Sequence, residues 1–459
     1  MVNRSISRFD LLVAGLMGAL SMVAVTEKAE AANWLAVQGT ENPGTVGRAK
    51  VWGFIQPEMQ YLKGTTVPVG GFAGAPMNPN TIGPDRNSRA TFSLRRARIG
   101  VRGQGFPLDN KVNYFFLAEF GRNGITVPGD GQGSVKLTDA SVTLNHIPFA
   151  RLRIGQFKTP GAEEGLQAIH VFDYVNFTNG TDQLLLERFA NGDGSVEVTD
   201  EAKVNKAIAG VSAFRDIGVQ LFDIIKTNGL EISYAGMVGN GNGINRADNN
   251  GAKELYGYIS VEQVYGGKGA RRHGLKAFAW TQRGKRTLIT AADGAGNYDR
   301  NRSGLGFTFR KGRWSAAAEY ISASGLIRNG TDGAAKVGSE GKNKAGDKIY
   351  ADLNYALDEK ANSYYGHLGY KVFDKLELDL RYDVLNRATV KDEAAGEDDE
   401  RKWTTTTVGA QYFFNKKTRF VFNYEFRSLE APNLASTAGP NKIGAALDDR
   451  ISMQLLAIF

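Results

Sequence analysis

The sequence predicts an all-β chain that closes into a transmembrane antiparallel β-barrel of about sixteen strands, with short turns on the periplasmic rim and long loops on the extracellular rim. Three observations predict it. Gly is abundant at 56 residues and Pro scarce at 12, and short alternating runs are punctuated by Gly/Asn/Asp clusters, with no sustained period of 3.6. The connections between these runs alternate short and long. The chain also ends on an aromatic residue, Phe459. The closing run places Ile451, Met453, Leu455, Ala457 and Phe459 on one face and Arg450, Ser452 and Gln454 on the other, the pattern of a strand with lipid outside and water inside.

The first element is a secretory signal. Arg4 and Arg8 precede an uncharged apolar run over 11–25, and Ala29-Glu30-Ala31 is a small-x-small cleavage site. The run is about 15 residues, short of the roughly 20 that a spanning helix needs. Residues 1–31 are therefore expected to be removed, 32–47 to form an N-terminal periplasmic segment, and 48–459 to form a single barrel. The strand candidates are 48–62, 88–103, 111–121, 135–145, 151–158, 206–215, 216–225, 230–238, 253–263, 274–284, 303–311, 313–322, 361–372, 375–386, 403–414, 418–428 and 447–459. Runs 206–215 and 216–225 abut with no room for a turn, so they merge into loop end plus one strand, which leaves the even count usual for bacterial barrels. Short connections include 104–110, 146–150, 226–229 and 415–417; long ones include 63–87, 159–215, 323–360 and 429–446. The outward faces are read from Phe420, Phe422, Tyr424 and Phe426, from Leu376, Leu378, Leu380 and Tyr382, and from Val112, Tyr114, Phe116, Ala118 and Phe120. Periodicity alone also admits a soluble β-sandwich with one wet face.

Lys and Arg total 56 against 48 Asp and Glu, a formal charge of +8. The signal holds three of each sign (Arg4, Arg8, Lys28; Asp10, Glu27, Glu30), so its removal leaves this balance unchanged. A basic exported chain suits small anions or acidic glycans, and in that compartment nucleic acid is not an expected partner. Cysteine is absent, which excludes disulfides and thiol chemistry. The four histidines, His146, His170, His273 and His367, show no metal-binding spacing. The Gly239–Gly243 run lacks the helix that a phosphate-cradling glycine loop needs. No enzyme, cofactor or metal is expected.

Two segments carry a family resemblance. Thr91-Phe92-Ser93-Leu94-Arg95-Arg96-Ala97-Arg98-Ile99-Gly100-Val101 and Arg151-Leu152-Arg153-Ile154-Gly155-Gln156-Phe157-Lys158-Thr159-Pro160 resemble the second and fifth strands of the phosphate-selective porins O and P. Arg215-Asp216-Ile217-Gly218-Val219 and Arg381-Tyr382-Asp383 add to the likeness. The resemblance implies a trimeric porin in the outer membrane of a Gram-negative bacterium, in contact with its lipid. It also implies a third loop, about 159–205, folded inward, and basic side chains passing phosphate-like anions. The acids Glu163, Glu164, Asp173, Asp182 and Glu187 on that loop depart from a purely cationic constriction.

The expected anion path runs along Arg95, Arg96, Arg98, Arg102, Arg153 and Lys158, with Glu119, Arg310, Arg381 and Arg427 as secondary lumen positions. Arginine suits the task because its planar fork binds oxyanions bidentately and stays charged. Arg96, Arg98 and Arg102 share a parity with Phe92 and Leu94. Since Arg facing lipid at mid-depth costs about 2–4 kcal/mol, they are expected to face the lumen, with Arg95 beyond a bulge or near the rim. In strict alternation Lys158 falls on the side of Ile154, outward, unless the strand bends into the third loop. The arginines have a second reading, as a wall network with the inward acids Glu119, Asp139, Glu319, Glu377, Asp379, Asp383 and Glu425. A weakly selective porin and a surface barrel without transport stay open beside the anion channel.

Overall fold

The computed structural model describes residues 33–37, 49–62, 66–77, 90–105, 109–121, 135–186, 214–248, 250–267, 269–290, 294–331, 334–335, 339–351, 353–387 and 400–459. The expected signal segment 1–31 lies outside the described residues, as does 187–205 of the expected third loop, including Glu187. In chain order the strands are β1 (Lys50–Leu62), β2 (Ala90–Gln104), β3 (Val112–Glu119), β4 (Lys136–Leu144), β5 (Arg151–Lys158), β6 (Arg215–Thr227), β7 (Leu230–Gly239), β8 (Glu254–Gly266), β9 (His273–Thr290) and β10 (Gly294–Lys311). They continue with β11 (Trp314–Ser324), β12 (Ile327–Thr331), β13 (Glu340–Lys342), β14 (Lys348–Tyr350), β15 (Leu353–Ala356), β16 (Lys360–Phe373), β17 (Leu376–Arg387), β18 (Arg401–Phe413), β19 (Thr418–Glu430) and β20 (Arg450–Ile458).

Strands β1–β11 and β16–β20 form one closed barrel in which each pairs with its sequence neighbours. That gives the sixteen strands expected; of the merged run over 206–225, the part from Arg215 is in the single strand β6, and 206–213 lies outside the described residues. The two small sheets, β12–β15 and β13–β14, lie in one long connection between β11 and β16. Closure occurs between β1 and β20, from Leu62↔Arg450 to Phe54↔Ile458. At the end of the seam Phe459 N–H donates to the Gly53 carbonyl at 3.0 Å, and Gly53 N–H to the Phe459 carbonyl at 3.2 Å.

The alternation of side chains decides between lipid and a soluble core. Phe92, Ile99, Phe116, Leu305, Leu368, Leu378, Leu380, Val408, Phe426 and Leu455 are exposed, whereas Arg98, Glu119, Glu377, Asp379, Arg381, Asp383 and Gln454 are buried. A sandwich would bury the first set, so the barrel is transmembrane with an apolar exterior and a charged interior. Two rows of exposed aromatics edge the apolar band. Tyr320, Tyr364 and Tyr382 stand toward the long-loop rim; Tyr265, Trp314, Tyr370, Phe373, Tyr412 and Phe414 toward the short-turn rim. Trp314 and Tyr370 face each other across β11 and β16, ring centroids 4.5 Å apart.

β9 and β10 run longer than their apolar alternation, 18 residues each. Ladder pairing continues past the aromatic row, from Thr281↔Ser303 to Thr290↔Gly294. There the outward positions Thr281, Arg283 and Lys285 are polar, so the hydrophobic signal stops while the hydrogen bonds do not.

Candidate functional site in the barrel lumen

The segment after β5 enters the barrel and crosses it. It carries a short helix, α2 (Glu163–Leu166), and a π-helical turn over Thr181–Leu185; α1 is the N-terminal turn Trp34–Val37. The Glu163 N–H donates to the Glu319 carboxylate of β11 at 3.2 Å. The Val175 N–H donates to Asn423 of β19 at 2.7 Å. Asn179 donates from its side-chain amide to Asp383 of β17 at 2.7 Å and to Thr405 of β18 at 2.8 Å. Asn176 uses both ends of its amide. Its Oδ1 accepts from Gln60 of β1 and Arg95 of β2, each at 3.0 Å, and its Nδ2 donates to Ser452 of β20 at 3.0 Å and toward Glu425 of β19 at 3.4 Å. Replacing Asn176 by Leu, similar in size but unable to bond, takes one hydrogen bond from each of four buried partners. At about 1–3 kcal/mol for a buried polar group left unmade, the expected result is a clear fall in the denaturant midpoint of the detergent-solubilised protein. An unchanged midpoint contradicts this account of the loop's anchorage.

The arginines of β2 lie under this segment. The β1–β2 register passes from Gln56↔Arg96 to Pro57↔Leu94, so Arg95 is an extra, bulged residue. The bulge reverses parity. Phe92 and Leu94 point out on one side of it, Ile99 on the other, and Arg95, Arg96 and Arg98 all point in. Arg95 pairs with Glu58 at 3.3 Å, Arg96 donates to Gln56 at 3.2 Å, and Arg98 pairs with Glu119 at 2.7 Å. Glu119 also accepts from the backbone N–H groups of Ala97 and Gly121. Arg153 donates to Thr143 at 3.3 Å and to the Leu35 carbonyl at 2.9 Å, and lies over the Phe222 ring at 4.4 Å. Lys158 is buried too. Gly155 has φ 125°, and beyond it Gln156, Phe157 and Lys158 are all buried, so strict alternation ends there. The Lys158 ammonium donates to the carbonyls of Leu166 and Gln167.

Exposure separates these groups from a solute path. Arg95, Arg96, Arg98 and Arg153 are 4, 2, 5 and 1 % exposed. Their bonds run to wall carboxylates, amides and loop carbonyls, which is the wall-network reading of the same residues. Arg381 belongs with them, bonded to Glu164 at 3.2 Å and to the Asn176 carbonyl at 3.0 Å. Arg102 is half-buried, 5.7 Å above the Phe115 ring. Arg427 is half-buried toward the long-loop rim, where its backbone N–H donates to Asp449 at 3.3 Å.

One open space among the described residues of the lumen borders the crossing segment. A cavity of about 130 Å³ is lined by Trp34, Glu163, Asp173, Tyr174, Arg271, Arg272, Lys276, Arg310, Tyr365 and His367, among others. Arg310 pairs with Glu377 at 3.4 Å and with Asp173 at 3.7 Å. Arg271 reaches in from the short turn between β8 and β9 to Glu377 at 3.0 Å, Gln411 at 2.8 Å and the Asp173 carboxylate. Lys276 pairs with Glu163. Burial pushes the Asp173 carboxyl up, but the guanidiniums of Arg271 and Arg310 outweigh it and hold the group below the usual carboxylate range. The cavity therefore presents fixed charges of both signs. Arg271 and Lys276 were not legible as site residues. The only signal in the sequence is the pair Arg271-Arg272 closing a turn that has Gly266, Gly267 and Gly269, where a plain polar turn suffices. Among the described residues no cluster of His, Cys, Asp and Glu fits a metal ion.

No family model matches the chain, and no curated protein does. Solved structures do. The chain is similar to Salmonella typhi OmpF, solved as a complex with daunomycin, at TM-score 0.51 and 13 % identity over 90 % of this chain and 97 % of that one. It is also similar to an anion-selective porin from Comamonas acidovorans, at TM-score 0.49 and 15 % identity over 90 % and 99 %. A third likeness is to OmpT, an outer membrane protein of Vibrio cholerae in its trimer form, at TM-score 0.46 and 12 % identity over 90 % and 99 %. At these identities it is the shared fold, a closed barrel of porin type, that the OmpF likeness shows.

Proposed function

We propose that this chain is an outer-membrane porin of a Gram-negative bacterium, through which small hydrophilic solutes diffuse passively, with a modest preference for small anions such as phosphate. The observation that carries the reading is the inversion of polarity, an apolar exterior around a charged lumen that keeps a polar cavity beside the crossing segment. A barrel that served only as an anchor needs no such cavity. The anion preference rests on Arg310 and Arg271, which are 20 % and 23 % exposed at their side chains and so meet solutes that Arg95, Arg96 and Arg98 do not. Asp173 and Glu163 face the same space and moderate the preference. The short turns then face the periplasm and the long loops the exterior. Export through removal of 1–31 and assembly as a homotrimer follow from the signal pattern and the motif resemblance.

The test is a planar bilayer with purified protein across a potassium chloride gradient. An anion-selective reversal potential is expected, with chloride current reduced by phosphate. Arg310→Glu reverses a partly exposed charge, each unit of which is worth about 1 kcal/mol at solvent-like dielectric, so the anion-to-cation permeability ratio is expected to fall by at least about fivefold. Conductance without ion preference, unmoved by Arg310→Glu, means a general porin. No conductance leaves the anchor reading.

A further inference from the structure

We propose that the N-terminal turn 33–37 is a fixed constriction element of the lumen, with the Trp34 indole forming part of the wall that a permeating solute passes. The proposal rests on the porin reading above. Residues 33–37, expected in a periplasmic segment ahead of the barrel, instead lie against its inner wall. The Asn33 amide donates to Ser233 of β7 at 2.6 Å, and its Oδ1 accepts from the Leu35 N–H at 3.2 Å, closing the turn. Arg153 donates to the Leu35 carbonyl at 2.9 Å. Leu35 itself is 2 % exposed and packs in the same apolar cluster as Ala162 and Leu166 of the crossing segment. Trp34 is half-buried, borders the lumen cavity, and donates its indole N–H to Glu163 Oε1 at 3.0 Å.

These contacts give the turn two jobs. It is tied to β5 and β7 through buried polar groups, so it does not swing freely as a tail would. It also grips Glu163 from the side opposite Lys276, which fixes the first helical turn of the crossing segment and the carboxylate that segment shows to the cavity. A large flat ring at this place excludes solutes by size and leaves small ions through, since pore selectivity follows from width as well as lining charge.

The experiment uses the full chain in planar bilayers. Trp34→Ala is expected to raise unit conductance by roughly half or more and to admit larger neutral polyethylene glycols than the wild type does. Trp34→Phe, which keeps a ring but loses the N–H, falls between the two. Wild-type conductance and size limit retained by Trp34→Ala overturn the proposal and leave the porin reading standing. No conductance from any of these proteins overturns both.

Discussion

Arg381→Ala is expected to cost about 3–5 kcal/mol of stability, the scale for removing one partner of a buried ion pair. Arg381 is 1 % exposed. Its guanidinium lies 3.2 Å from Glu164, 3.9 Å from Asp383 and 4.0 Å from Glu425, and 4.3 Å over the Tyr174 ring. The three carboxylates come from the crossing segment and from two wall strands; Glu425 also pairs with Arg450, whereas Glu164 and Asp383 lean on Arg381. Without it these two carboxylates are left close together in a buried site without their shared cation. The crossing segment then loses its tie at Glu164 and at the Asn176 carbonyl. Two readouts check this together: the unfolding midpoint in denaturant, which falls, and open-channel current noise, which rises as the segment loosens. A variant with wild-type midpoint and quiet current sinks the account.

Gly53→Val is expected to prevent closure of the barrel. A Cβ at this position stands 2.4 Å from the Arg98 carbonyl oxygen and 2.4 Å from Cζ of Phe459. The ring can turn aside, but the carbonyl belongs to the backbone of β2, paired with β1 at Gly53↔Ile99, and it cannot move without breaking that ladder. Gly53 is also the partner of Phe459 in the last hydrogen bonds of the seam. The expected outcome is loss of the detergent-resistant folded band on gels run without heating, with Gly53→Ala partly impaired. A fully resistant Gly53→Val barrel refutes the steric argument.

The wall was legible in the sequence because a half-lipid, half-water strand writes its own pattern: Leu376 to Tyr382 and Phe420 to Phe426 alternate without a break. What failed to show was everything that depends on a second layer. The four strands β12–β15 are 3–5 residues each, too short for a period to register. The bulge at Arg95 leaves no mark except a parity conflict among the arginines, which did announce it. Burial of Arg95, Arg96 and Arg98 depends on where residues 163–186 lie, and nothing local to β2 encodes that. A run of arginines on an inward face looks the same whether it meets solute or a loop. Arg271 escaped for the converse reason, since it lies outside the strand runs, in the turn between β8 and β9, and its long side chain reaches the lumen.

Asn176 has a consequence for assembly. Its four partners sit on β1, β2, β19 and β20, so one amide bridges the first and last strands of the sheet from within. A barrel that zipped β1 to β20 with the segment left outside would trap Arg95, Gln60, Ser452 and Glu425 without the group that satisfies them jointly. The correct enclosure and the final ladder thus stabilise each other, and a misloaded barrel has a weaker seam, prone to reopen. The joint between the two ends of the chain works as a checkpoint on what the barrel has swallowed.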